Sequence, residues 1–193
     1  MALICEAFFI IIKRFFLLLV LFTLSAYTLA DARAQTVKEY AVKAAFVFNF
    51  ARFTQWPESS FSDADTPYQL CFIGNDEVAD EFKTIHGKKN GPRLIRVRQL
   101  KGDPARDCKM CHIIFISRDV NQKTADQILS KIKGRAVLVI GETKDFAKKG
   151  GVISFFSKEN RLQFEINTRT AKDRGLSLSS RLLKLAVIVG GDE

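Results

Sequence analysis

Apolar and polar positions follow two periods along this chain, one near 3.6 residues and one of two, and the switches between them mark out the elements. Residues 37–55 carry apolar side chains at helical spacing and predict a helix that ends before Pro57. Val42, Phe46, Phe50 and Phe53 form one stripe, read as core, with Asn49 in its middle. Tyr40, Ala44, Val47, Phe48 and Ala51 make a second apolar surface on the other side. A helix apolar nearly all round is buried on two sides. The second surface, led by Phe48, is therefore either core or a contact with a partner or a second copy. Asn49 on an apolar stripe must find hydrogen bonds, and pinning the backbone of a neighbouring loop is its expected job.

Tyr68–Ile73 (YQLCFI) predicts a strand, and Gly74-Asn75-Asp76 then supplies a turn and a cap for a short helix reaching about Ile85. The turn matches neither G-x-G-x-x-G nor a P-loop, so it is not read as a phosphate loop. Arg93–Leu100 predicts a more exposed strand with Leu94, Val97 and Leu100 turned inward. Cys111–Ser117 (CHIIFIS) is a continuous apolar run, as a central parallel strand covered on both faces requires. A polar helix over 121–133, a strand over 136–140 and a short helix over 143–148, stopped by Gly150-Gly151, follow. Val152–Phe156 and Arg161–Ile166 flank Lys158-Glu159-Asn160 and predict a hairpin. In its second strand Leu162, Phe164 and Ile166 face one way, and Gln163, Glu165 and Asn167 the other. A last helix is predicted over 179–189, with Leu178, Leu182, Leu185 and Val189 at core spacing. Strand–helix alternation closed by a hairpin predicts the α/β class: one layered sandwich with a mostly parallel sheet, a C-terminal β-hairpin and flanking helices.

One apolar block stands apart. Phe15–Leu24 follows Lys13-Arg14 and precedes an A-x-A site at Ala32-Arg33-Ala34, the grammar of a secretory signal peptide. Its core is short of the roughly 20 residues that span a bilayer. Residues 1–34 are thus expected to be removed, and residues 35–193 to form the working domain of 159 residues in the periplasm. The leader takes three basic and two acidic residues with it, so the net charge falls from +9 to +8. Nucleic acid is a poor partner for an exported domain whose basic residues are scattered and carry no reader motif. Solubility and attraction to anionic headgroups or acidic partners account for that charge, with the domain peripheral to a membrane.

Catalytic chemistry is thin. With only two His in the chain and no G-x-S-x-G or H-E-x-x-H, no nucleophile–base pair or zinc site is expected, and the chain is read as a non-enzyme. Cys5 leaves with the leader, and Cys71, Cys108 and Cys111 remain. In an oxidising compartment three thiols allow one disulfide and leave one thiol over. Cys71 and Cys111 lie on strands that can be neighbours, while Cys108–Cys111 and Cys71–Cys108 are the rival pairings. Cys108-Lys109-Met110-Cys111-His112 also spells the C-x-x-C-H haem signature. It runs straight into a buried strand, and the mature chain offers only His86 and Met110 as distal ligands, so no cofactor is expected. Arg161, Glu165, Asn167 and Arg169 are candidates for a small polar pocket, although a solvated sheet surface explains them as well.

In order, the stretches EYAVKAAFVFNFARFTQWP (Glu39–Pro57), LCFIGND (Leu70–Asp76), CHIIFIS (Cys111–Ser117), GRAVLVI (Gly134–Ile140), FAKKGGVISF (Phe146–Phe155), RLQFEIN (Arg161–Asn167) and GLSLSSRLLKLA (Gly175–Ala186) resemble the YfiR-like family of periplasmic proteins. No single stretch is diagnostic; their order across the mature chain is. The resemblance implies a homodimer that represses an inner-membrane diguanylate cyclase from the periplasmic side, lowering cyclic di-GMP and biofilm formation. It also implies redox-sensitive control through a disulfide that maps onto Cys71 and Cys111. A second family pair maps near Asp145 and Val152, where this chain has no Cys, and Cys108 is extra. Phe48, Phe53 and Trp56 are the candidates for the cyclase contact, since aromatic residues dominate interface energetics. The rival class is a periplasmic small-ligand-binding accessory protein using a crevice at the strand ends.

Overall fold

The structure, a computed structural model, describes residues 13–14, 35–159 and 161–191. The predicted leader lies outside the described residues except for Lys13 and Arg14, as does Asn160 of the predicted hairpin turn. The chain divides into two units, Met1–Glu39 and Tyr40–Glu193. In the first, the described residues are helical. The second holds everything that follows.

Helix α1 covers residues 40–52 of this unit. Its buried arc is Tyr40, Lys43, Ala44, Val47, Phe50 and Ala51. The stripe expected as core is thereby turned: Val42 is 47% exposed, Phe46 is half-buried, and the second surface makes most of the core contact. One buried charge explains the turn, because Lys43 lies on the arc beside Tyr40 and Ala44 and is neutralised from across the fold. Asn49 is exposed and donates to Ala45 O in its own helix, 2.9 Å away. The loop-pinning asparagine is Asn90, whose Nδ2 donates to Phe48 O at 2.6 Å. The helix also stops earlier than Pro57 demands. Thr54–Gln55 forms strand β1, antiparallel to β9 (Ser177–Leu178), and that pairing takes up its backbone groups.

The remaining strands form one sheet: β2 (Tyr68–Ile73), β3 (Lys89–Asn90), β4 (Arg93–Gln99), β5 (Ile113–Ile116), β6 (Leu138–Gly141), β7 (Ile153–Lys158), β8 (Arg161–Asn167) and β10 (Val187–Val189). Their order is β10-β8-β7-β6-β5-β2-β4-β3. The β7–β8 hairpin and the β3–β4 pair are antiparallel and the other neighbours are parallel, as the α/β reading expected. In β4 the alternation is set by Ile95, which is buried, while Leu94 is exposed and Val97 half-buried. Leu94 and Val97 are three apart and cannot share a face of a strand.

The helices between strands are α2 (Asp76–Lys83), α3 (Pro104–Asp107) and α4 (Gln122–Lys131); α5 (Thr168–Asp173) and α6 (Ser180–Leu183) follow the hairpin. Asn75 and Asn121 cap α2 and α4 through bonds to Glu77 N–H and Thr124 N–H. The chain moves one way along the sheet through α2 and the other way through α4, so right-handed crossovers put these helices on opposite faces. On the α2 face Phe72 stacks on Phe115, and Phe82 packs against both. Phe46 and Phe50 of α1 extend this layer onto Phe155 and Phe164.

Two predicted helices are replaced. Residues 144–150 form consecutive turns, because Asp145 takes a φ of 60° and Phe146 dives into the core. A Cβ at Gly141 would lie 2.6 Å from the Phe146 ring, so the small residue there is a packing requirement. The C-terminal helix is only the four residues of α6, capped by Ser179, and Leu185 is 73% exposed. Val187–Val189 leaves the helical path because β8 offers it an open edge, and three β-branched residues fit a strand.

Candidate functional site

The chain leaves β2 for β4 on one side and returns across it to β5 on the other. The switch point of the sheet therefore lies at the carboxyl ends of β2 and β5, the usual place for a ligand crevice in open α/β sheets. Here the chain's own side chains fill it. Lys43 Nζ pairs with Glu142 Oε2, and the two side chains are 1% and 2% exposed. The same oxygen accepts from Tyr40 OH at 3.2 Å and Arg118 Nε at 3.2 Å. Tyr40 OH also shares a hydrogen bond of 3.2 Å with Ser117 Oγ. Burial, then the Glu142 charge, pushes the Tyr40 pKa up to about 12. Gly74 makes the close packing possible, since a Cβ there would meet Ser117 Cβ at 2.5 Å.

The amino ends of the same strands are arranged differently. Cys71 in β2 and Cys111 before β5 are joined, with Cα atoms 5.8 Å apart and a sequence separation of 40. Closing a loop of that length contributes about 2–4 kcal/mol. Cys108 is a buried free thiol that donates to Ala105 O at 3.2 Å. Burial raises its pKa, and Arg135 opposes the rise. His112 donates from Nε2 to Ser60 O at 2.9 Å and accepts Gln69 N–H at Nδ1, 3.1 Å away, which makes it a neutral Nε2–H tautomer. Burial pushes its pKa down, with Arg93 and Arg135 adding to the fall and the Ser60 bond opposing it. Its ring stacks on Phe61, 4.7 Å between centroids, and the Arg93 guanidinium covers the far ring. With Cys111 cross-linked and both His112 nitrogens engaged, the C-x-x-C-H residues do not fit a haem attachment site.

A concavity of about 660 Å³ opens beside the disulfide, lined by Ser60, Cys111, His112 and Arg135 among others. A second, of about 430 Å³, lies between α4 and α5, and Arg174 borders both. Sequence reasoning missed Arg174, Lys43 and Glu142. A lysine on the apolar arc of α1 was the available signal for Lys43; nothing local marks the other two.

The remaining candidates are spread out. Phe48, Phe53 and Trp56 are half-buried at the edge of the core. Trp56 packs on Tyr68 at 5.0 Å, and its buried Nε1–H has no partner among the described residues. Among the described residues no ring pair joins the three. Arg161 and Arg169 are exposed, and Glu165 is half-buried, its pKa raised chiefly by burial. Asn167 is structural: its Oδ1 caps α5 through Thr170 N–H at 2.8 Å, and its Nδ2 donates to Ala147 O at 2.9 Å. Neither cavity just described is lined by any of these four residues.

These features define a class: a doubly covered, mostly parallel α/β domain, cross-linked between adjacent central strands, with its switch-point crevice closed. The chain belongs to the YfiR/HmsC-like family, whose sequence profile matches residues 40–187. That family is known for periplasmic regulators of diguanylate cyclases, and it is regulatory rather than catalytic. No curated protein matched the sequence. Among solved structures, the chain is similar to a conserved domain protein from Vibrio cholerae O1 biovar El Tor, at 11% identity and a TM-score of 0.45. The match covers 62% of this chain and 54% of that one, so this chain spans about half its length. No helix among the described residues is long and apolar enough to cross a membrane.

Proposed function

We propose that this chain is exported, cut after Ala34, and acts in the periplasm as a homodimeric repressor of an inner-membrane diguanylate cyclase. It lowers cyclic di-GMP and biofilm formation by binding the cyclase's periplasmic sensor module and favouring its inactive state through differential affinity. The observation that carries this reading is the family match over residues 40–187. The half-buried aromatics Phe48, Phe53 and Trp56 support it as an anchor set for the partner. Leu185, Val187 and Ile188 add exposed apolar surface suited to a second copy.

Redox control enters through Cys71–Cys111. The bond ties the two central strands together, so reducing it loosens the domain, depletes the binding-competent state and releases the cyclase. Among the described residues Cys71–Cys111 is the one disulfide, and the proposed control runs through it. The test is a pull-down of detergent-solubilised inner membranes with the tagged mature protein. Recovery of a membrane cyclase, lost under reducing conditions and with Phe48→Ala or Trp56→Ala, is expected. Recovery of no cyclase by the oxidised protein contradicts the reading.

A further inference from the structure

Arg174, just past α5, is 8% exposed. It donates through one terminal nitrogen to Ile132 O, at the end of α4, at 2.6 Å, and through the other to Gly150 O at 3.2 Å. Its Nε–H has no partner, and no carboxylate among the described residues forms an ion pair with it. Burial alone lowers its pKa, with no charge opposing the shift. The Ile132 carbonyl at the α4 C terminus and the Gly150 carbonyl of the turn before β7 offset part of the cost of burying a cation, but they supply no counter-charge. Each terminal nitrogen keeps a second N–H.

The side chain forms a wall of the 430 Å³ cavity between α4, the turn before β7, and α5. That volume lies within the ordinary range for small-ligand sites, about 300–1,000 Å³. The exposed Lys133 and Lys149 line the cavity as well, and Ser130 and Thr170 bring hydroxyls. Asp126 and Asp173 are the carboxylates on its wall, so the cations exceed the acids by three to two. The Arg174 charge is thus buried without a partner of opposite sign, beside an open cavity with a cationic rim.

We propose that this cavity is a binding site for a small acidic ligand, a phosphate or a carboxylate, which takes Arg174 as its counter-ion and Lys133 and Lys149 as its rim. A free metabolite and a lipid headgroup share this chemistry. The site lies on the face opposite α2 and stands independently of the cyclase reading.

The test titrates the mature protein with inorganic phosphate and with succinate at constant ionic strength, following the melting temperature and the arginine Nε–H resonances. A saturable rise in melting temperature and a shift of one buried arginine resonance are expected. Arg174→Lys should abolish both. Because Arg174 also ties α4 to the Gly150 turn, the decisive variant is Lys133→Ser with Lys149→Ser. It should weaken binding about tenfold and leave the unliganded melting temperature unchanged. The distant Lys158→Ser should do nothing. Vesicles of phosphatidylcholine with and without phosphatidylglycerol form the second arm. Binding only to the anionic vesicles, lost in the rim variant, assigns the headgroup as the source. No saturable response to phosphate, succinate or vesicles overturns the site, as does equal weakening by Lys158→Ser.

Discussion

The two ends of the same parallel strands are built on opposite plans. At the carboxyl ends, Lys43 and Tyr40 from α1 meet Ser117 and Glu142, and the charges are closed off from water. At the amino ends lie the disulfide, a spare thiol, a neutral histidine and a buried arginine, next to open concavities. Open α/β sheets ordinarily place their ligands at the first of these ends. In this chain the buried ion pair clamps the first helix of the domain onto the sheet instead. The cross-link, the free thiol Cys108 and the neutral His112 lie at the other end. The contrast separates a fixed frame from an adjustable edge.

The largest expected effect tests the frame. Glu142→Ala leaves Lys43 buried without its partner and should cost about 3–5 kcal/mol in urea unfolding. The double variant Lys43→Met, Glu142→Leu should recover most of that loss, and equal loss in single and double variants would remove the clamp from the account. Cys71→Ser tests the edge and should cost about 2–4 kcal/mol, a loss that dithiothreitol reproduces in the native protein and does not deepen in the variant.

His112 sharpens the comparison through pH. Burial holds its folded pKa below the ordinary 6.5, so on acidification the unfolded chain takes up the proton first. The stability tied to the neutral ring is complete above about pH 6.5 and is lost as pH falls below that value toward the folded pKa. The melting temperature should therefore drop more steeply from pH 7.5 to 5.5 in the native protein than in His112→Gln, and parallel curves would contradict the assignment. Smallest of all is the asparagine pair. Asn90→Ala leaves Phe48 O short of a donor and should cost about 1–3 kcal/mol, whereas Asn49→Ala on the exposed side of α1 should stay within about 0.5 kcal/mol.

What the sequence made legible follows the range of the interactions. CHIIFIS announces a central strand because a strand covered on both faces needs no alternation, and residues 113–116 are all buried between β2 and β6. The face of α1 was misplaced because Lys43 reads as polar, and its neutralising carboxylate lies 99 residues away. The last helix was overextended because helical spacing is local, while the open edge of β8 that captures Val187–Val189 is not. Arg174 was invisible for the same reason: its carbonyl partners stand 42 and 24 residues off, and its lack of a counter-ion is a property of the folded surface. The cysteine spacing allowed three pairings, and folding brings Cys71 of β2 against Cys111, which leads into the neighbouring β5.

The central claim is that the oxidised domain represses a diguanylate cyclase and that breaking its cross-link lifts the repression. Intracellular cyclic di-GMP, measured in cells lacking the native gene and supplied with either the unaltered chain or Cys71→Ser, tests it most directly. The account predicts low cyclic di-GMP with the unaltered chain and a return to the level of the deletion with Cys71→Ser at equal periplasmic abundance. Equal cyclic di-GMP in the deletion and the complemented cells would contradict repression, and full repression by Cys71→Ser would contradict its control by the disulfide.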